Sequence, residues 1–230
     1  MCTLGAKKIK GEFLIFKTRD RERWLETQII KRKWAVKKLL VIDQKWHCEG
    51  INEHGIGIIE ATLRPFPYIK HHHTPSRIAS KILDQENMKD ALNIIKKAHI
   101  SGNMILSDGN IAYIVESTPY EYADTRIKSQ GVITNLSVKL NKKNGYTDEI
   151  KRDHAKGRYK RAKELIKKIV TIEDIKALLS DTKWAPKSIC RREIFGIATR
   201  CAYIYDLKNR KIFFCKNSPD QWWDFKEYKL

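Results

Sequence analysis

Two stretches of helical period, residues 75–99 and 154–179, interrupt a chain otherwise made of short apolar runs of strand length, and this arrangement in blocks limits the possible folds. At the start, Cys2 to Lys8 and Glu12 to Thr18 flank the turn signal Lys10-Gly11, and the apolar run Phe13, Leu14, Ile15, Phe16 completes a predicted hairpin. Trp34 to Asp43, Lys45 to Ile51 and Gly55 to Leu63 read as further strands, the last two joined by the polar turn Asn52-Glu53-His54-Gly55. The period then changes. Pro75 to Leu83 and Asn87 to His99 place Ile78 and Ile82, then Met88, Ala91, Leu92, Ile95 and Ala98, at helical spacings. Strands return in Met104 to Leu106 and Ile111 to Glu116 around Asp108-Gly109-Asn110, and in Gly131 to Leu136. His154 to Val170 and Ile172 to Leu179 are helical again, with Thr171 placed to cap the second and Asp174 three residues on. Ile197 to Asp206 and Lys211 to Cys215 form a closing hairpin. Strand blocks alternating with helix pairs, without βαβ repeats, predict an α+β fold of mostly antiparallel sheets. No linker, internal repeat or low-complexity tract divides residues 1–230, so one domain is expected.

Charge is the second constraint. The chain carries 46 Lys and Arg against 27 Asp and Glu, a net charge of +19, which attracts polyanions through counterion release. The cations are nevertheless dispersed, in Lys7 to Lys10, Lys31 to Lys33 and Lys156 to Lys163, and no zinc-finger spacing, RRM signature or KH-type clamp organises them. A basic protein that associates with nucleic acid is thus one reading, and a solvated Lys/Arg/Glu surface that holds nucleic acid only non-specifically is the other. No apolar stretch is long enough to cross a bilayer and no secretory leader opens the chain, so the expectation is no membrane association and a cytoplasmic location. Five cysteines without a CxxC pair indicate neither a disulfide framework nor a four-ligand zinc site. His71-His72-His73 is a weak metal candidate, because adjacent residues of an extended chain point to opposite sides. Cys48, Cys190 and Cys201 lie in apolar settings as buried thiols, and Trp222-Trp223-Asp224-Phe225 with Tyr228 is expected to pack over the core or to lie over the site as a lid.

Cys2 carries the chemistry. It follows Met1 directly, and a small side chain there lets a methionine aminopeptidase remove the initiator, which would make that enzyme a maturation partner. The exposed residue then holds both a thiol and an α-amine, and the amine, with a reference pKa of about 7.7–8.0, can take the thiol proton. A hairpin turning near Gly11 returns Asp20 to the neighbourhood of Cys2, where a carboxylate can accept hydrogen bonds from the thiol or the ammonium.

These residues resemble a known family: the choloylglycine hydrolase and penicillin acylase group of N-terminal nucleophile (Ntn) cysteine hydrolases, with the acyl-CoA:6-aminopenicillanic acid acyltransferases. Similar blocks occur in family order: Met1-Cys2-Thr3, residues 16–20, 49–56, 102–109 with 114–116, 132–135, 157–161 and 188–191. The resemblance implies a four-layer αββα sandwich and cleavage of a linear, non-peptide amide through an acyl-thioester, with no cofactor and no metal. It implies Cys2 as nucleophile, Asp20 as its holder, Asn135 as oxyanion donor and Arg158 as the cation favouring thiolate. Lys17 and Thr18 stand where bile-salt hydrolases have Arg and Asn, and Thr62 where some members have a second oxyanion asparagine. Arg19 is either substrate-facing or a surface charge. The substrate implied is a small amide or acyl donor, and the basic composition favours an anionic one. Hydrolase and acyltransferase both stay open, as does a catalytically silent member of the fold.

Overall fold

The computed structural model describes residues 2–22, 26–33, 35–43, 48–68, 75–145, 148–193 and 196–230. A tight turn near the start positions the first two strands. Lys10 and Gly11 both adopt positive φ, 49° and 89°, the backbone that a two-residue hairpin needs. The turn joins β1 (Cys2–Ile9) to β2 (Glu12–Glu22) with Ile9 opposite Glu12, and so sets Cys2 opposite Arg19.

Among the described residues, thirteen strands form two antiparallel sheets. The first contains β1, β2, β10 (Gln130–Ile133), β11 (Ile197–Asp206), β12 (Lys211–Cys215) and β13 (Phe225–Lys229), in the order β10-β1-β2-β11-β12-β13. The second runs in chain order from β3 (Thr27–Lys33) through β4 (Lys37–Asp43), β5 (Cys48–Asn52), β6 (Gly57–Thr62), β7 (Gly102–Ser107) and β8 (Ala112–Ser117) to β9 (Tyr122–Arg126). One face of each sheet supplies a shared core, with Leu4, Ile15, Tyr203 and Phe214 from the first against Leu39, Val41, Ile59 and Ile105 from the second.

Helices cover both outer faces. α1 (Ala79–Ile82) and α2 (Met88–Lys97) pack Ile82, Met88, Ala91 and Ile95 on Leu40, Ile58, Met104 and Leu106. α3 (Glu149–Leu165) and α4 (Ile172–Leu179) pack Ala162, Ile175, Leu178 and Leu179 on Leu14, Phe16, Ala202 and Ile204. The expected αββα layering is observed. The Thr171 cap is also present: its hydroxyl accepts from Asp174 N at 3.2 Å, and Asp174 accepts from Thr171 N at 2.8 Å.

Three strands go beyond the sequence reading: β3, β9 and β13, each at a sheet edge. From Phe225 onward the aromatic tail is itself strand. Tyr228 packs against the shared core, while Trp222 and Trp223 stay exposed. α3 begins five residues before the expected start, capped by Asp148, which accepts from Lys151 N at 2.9 Å. The His71-His72-His73 reading lies outside the described residues.

Close packing against β1 gives a direct test. A Cβ on Gly5 would lie 2.2 Å from the buried Phe16 ring, which faces it across the β1–β2 pair. Gly5→Ala is expected to destabilise the protein by about 1–3 kcal/mol, lowering Tm by roughly 2–4 °C for each kcal/mol. An unchanged denaturation midpoint would contradict this packing.

Candidate active site

Cys2 opens β1 and is 7% exposed. Its side chain belongs to the shared core between the sheets, so its backbone edge is what the outer layers can reach. Asn135 meets that edge from two residues beyond β10: Cys2 N donates to Asn135 Oδ1 at 2.7 Å. The other end of the same amide, Asn135 Nδ2, donates to the carbonyl of Thr62 at the end of β6, 2.8 Å away. One side chain therefore joins the first residue of one sheet to the last residue of a strand in the other.

Arg158 approaches from the helix layer. On α3, His154, Ala155, Arg158 and Ala162 fall on one helical face and are buried, which turns the guanidinium toward the sheet. Arg158 Nη1 donates to the Cys2 carbonyl at 2.7 Å and to Thr3 Oγ1 at 3.3 Å, and Nη2 lies 3.5 Å from Asn135 Oδ1. Its charge is set against Asp20, whose Oδ2 is 3.9 Å from Arg158 Nη1 and 3.9 Å from Arg191 Nη1. Asp20 Oδ1 accepts from Thr199 Oγ1 at 2.8 Å, and Thr199 Oγ1 in turn accepts from Arg191 N at 2.8 Å. The β11 bulge between Thr199 and Cys201 permits this: Thr199 meets Asp20 on the helix side, while Cys201 joins the shared core.

Cys2, Asp20, Asn135 and Arg158 are thus brought together, in an arrangement the sequence did not specify. Strand alternation puts the Asp20 carboxylate on the helix side of β2 and the Cys2 side chain on the other, so Arg158 bridges them. Asn135 offers its oxygen to Cys2 as well as holding Thr62 with its nitrogen. Thr62 contributes a carbonyl there.

Lys17 and Arg19 are fully buried. The surface-charge alternative for Arg19 is therefore overturned: its guanidinium is paired with Asp43 beneath the sheet. Lys17 is paired with Glu49 and also donates to the Glu60 carbonyl. Sequence reasoning missed Arg191, Thr199, Asp43 and Glu49. Arg191 closes the block 188–191 and Glu49 opens the block 49–56, and those places were the available signals.

Burial pushes the Cys201 and Cys190 thiols up to about 12 and Cys48 up to about 11, which keeps them protonated at neutral pH. Among the described residues no group of three or more His, Cys, Asp or Glu is placed to hold a metal ion, and no helix is long and apolar enough to cross a membrane.

No family model matches the sequence, and no curated protein matches it. Similarity appears at the level of structure. A crystal structure of a cysteine-to-alanine mutant of conjugated bile acid hydrolase from Clostridium perfringens superposes with a TM-score of 0.62 at 13% identity, covering 100% of this chain and 97% of that one. An arginine-to-leucine variant of the same hydrolase gives 0.61 at 14% identity, with the same coverage. With two antiparallel sheets between helical layers and a cysteine at the head of β1, the chain has the Ntn hydrolase fold of the conjugated bile acid hydrolases.

Proposed function

We propose that this chain is an Ntn amidohydrolase, or an acyltransferase of the same chemistry, acting on a linear non-peptide amide through Cys2. The observation that carries the reading is the capture of the Cys2 backbone nitrogen by Asn135 Oδ1 at 2.7 Å, with Arg158 on the carbonyl of the same residue. A buried backbone N–H needs an acceptor in any fold, and Asn135 supplies it. Catalysis gives the same contact a second use, because after Met1 removal that nitrogen is the base.

In this mechanism the α-amine takes the thiol proton and Cys2 Sγ attacks the amide carbonyl. A C–S bond forms, the carbonyl π pair moves to oxygen, and the resulting oxyanion collapses to expel the nitrogen. The departing amine takes the proton held by the ammonium, leaving an acyl-thioester on Cys2. Water, or a second amine, then adds to the thioester, gives its proton back to the sulfur and releases the acid or the new amide. Asn135 Nδ2 has two N–H groups; one serves Thr62, and the other is available to the developing oxyanion. Arg158 and Arg191 set two buried guanidinium groups against the Asp20 carboxylate, a positive field in which a sulfur anion beside the strand is favoured. Asp20 is a positioning residue, since it acts through Arg158. A cytoplasmic location and processing by a methionine aminopeptidase belong to the same proposal.

Intact-mass measurement is expected to show a chain lacking Met1. An acyl probe at pH 7 should add one acyl group at Cys2, with Cys190 and Cys201 modified only after unfolding. Retained Met1, or identical labelling of Cys2→Ala, would overturn the reading. In steady-state kinetics, Cys2→Ala should abolish turnover, whereas Asn135→Ala should lower kcat by about 10²–10³-fold. An Asn135→Ala enzyme with wild-type kcat would remove that residue from the mechanism.

A further inference from the structure

Two cations sit where the alternation of β2 calls for apolar side chains. Phe13 and Ile15 face the shared core, and the same face continues into Lys17 and Arg19. Lys17 is fully engaged with Glu49 and the Glu60 carbonyl, and Tyr203 donates to the second Glu49 oxygen at 2.5 Å. Arg19 is not. Its Nη2 is bonded to Asp43, but Nε and Nη1 have no hydrogen-bond partner among the described residues, although the residue has 0% exposure. The Tyr205 hydroxyl, buried in the same core cluster, is also without a partner there. Buried donors are ordinarily paired, because leaving one unpaired is destabilising.

Position gives these donors a meaning. Arg19 is the residue directly opposite Cys2, and antiparallel pairing sets two such side chains about 5 Å apart at Cβ on one face of the sheet. An acyl group bound to Cys2 Sγ is delivered to the face that Arg19 occupies. The charge count points the same way: Lys17, Arg19 and Arg21 are set against Asp43 and Glu49, three cations to two carboxylates among the described residues. Burial opposes the Arg19 charge, but the Glu49 and Asp43 carboxylates beside it favour the cation, so the guanidinium stays protonated.

We propose that Arg19 selects the acyl half of the substrate, so that this chain acts on amides of dicarboxylic acids. The far carboxylate, a short spacer away from the scissile carbonyl, accepts from Arg19 Nε or Nη1. This deepens the reading of Cys2 as nucleophile and rests on it. One carboxylate matches the single excess positive charge of the cluster and receives charge-assisted hydrogen bonds. A purely apolar acyl chain would instead bury the same donors unpaired.

The test uses the mature enzyme and matched p-nitroanilides: succinyl, glutaryl and adipyl against butanoyl, pentanoyl and hexanoyl. At the best spacer length, kcat/KM should favour the carboxylated substrate by about 10-fold or more. The ratio should fall to within about twofold in Arg19→Met/Asp43→Asn, which removes the buried cation together with its counter-ion and takes a carboxylate only from the partly exposed Arg21. Because the readout is a ratio within one protein, partial loss of folded enzyme does not move it. Turnover of both series with a ratio near one in the wild type, or a ratio unchanged by the double variant, overturns the assignment of Arg19 and leaves Cys2 as nucleophile. No turnover of either series, with no acylation of Cys2, overturns both.

Discussion

A single buried amide holds the site together. Asn135 receives Cys2 N with its oxygen and gives its nitrogen to the Thr62 carbonyl, so the start of β1 in one sheet and the end of β6 in the other are fixed by the two ends of one planar group. Chain ends fray unless something ties them down. Here the restraint is shared: the hairpin pairs Cys2 with Arg19, Asn135 fixes its nitrogen, and Arg158 fixes its carbonyl. The carbonyl and nitrogen of Cys2 are thereby both held in place.

That arrangement depends on charges placed where a fold of this kind would be more stable with hydrocarbon. Lys17, Arg19, Asp20, Glu49, Arg158 and Arg191 are all essentially inaccessible. Replacing a buried ion pair with well-packed apolar residues is often neutral or stabilising, whereas removing one partner alone costs about 3–5 kcal/mol. Buried pairs therefore argue poorly for stability and better for a task. They also divide by face. Asp20, Arg158 and Arg191 lie on the helix side of the first sheet, behind Cys2, whereas Lys17, Arg19, Asp43 and Glu49 lie on the side that the sulfur faces. Strand period alone separates Arg19 from Asp20, and so separates a residue that can meet an acyl group from one that acts through the backbone of Cys2.

The same periodicity explains what could be read from the sequence. Central strands such as β2, β4, β6 and β11 are buried along most of their length and announce themselves as apolar runs. β3, β9 and β13 are edges, and their sequences, TQIIKRK, YADTR and FKEYK, carry the charges that keep an open edge from pairing with another chain. The start of α3 was missed for a related reason: its first turns are polar and exposed or half-buried, and the inward face begins only at His154. At the site, Cys2, Asp20, Asn135 and Arg158 were found through motif order. Their geometry was not, because contacts such as Asn135 to Thr62 and Asp20 to Thr199 span 73 and 179 residues. Lys17 and Arg19 left a signal: two cations continuing the inward face of Phe13 and Ile15 are inconsistent with a solvated strand.

The large positive charge divides by location. Among the described residues, four of the cations, Lys17, Arg19, Arg158 and Arg191, are buried around the start of β1. Others, such as Lys156, Lys160 and Lys163 on the outer face of α3, are exposed. The two groups act over different ranges. Exposed cations set a field screened over roughly 8–10 Å at ordinary salt, which raises the encounter rate with any anion but does not choose among them. Buried cations are screened far less and recognise a ligand through geometry, so they can discriminate. Added salt therefore weakens steering by the outer group while leaving selection by Arg19 largely intact. This separation is also why a net charge of +19 does not by itself indicate a nucleic-acid groove. The cations closest to Cys2 are enclosed between layers of the protein, where a polymer backbone cannot follow.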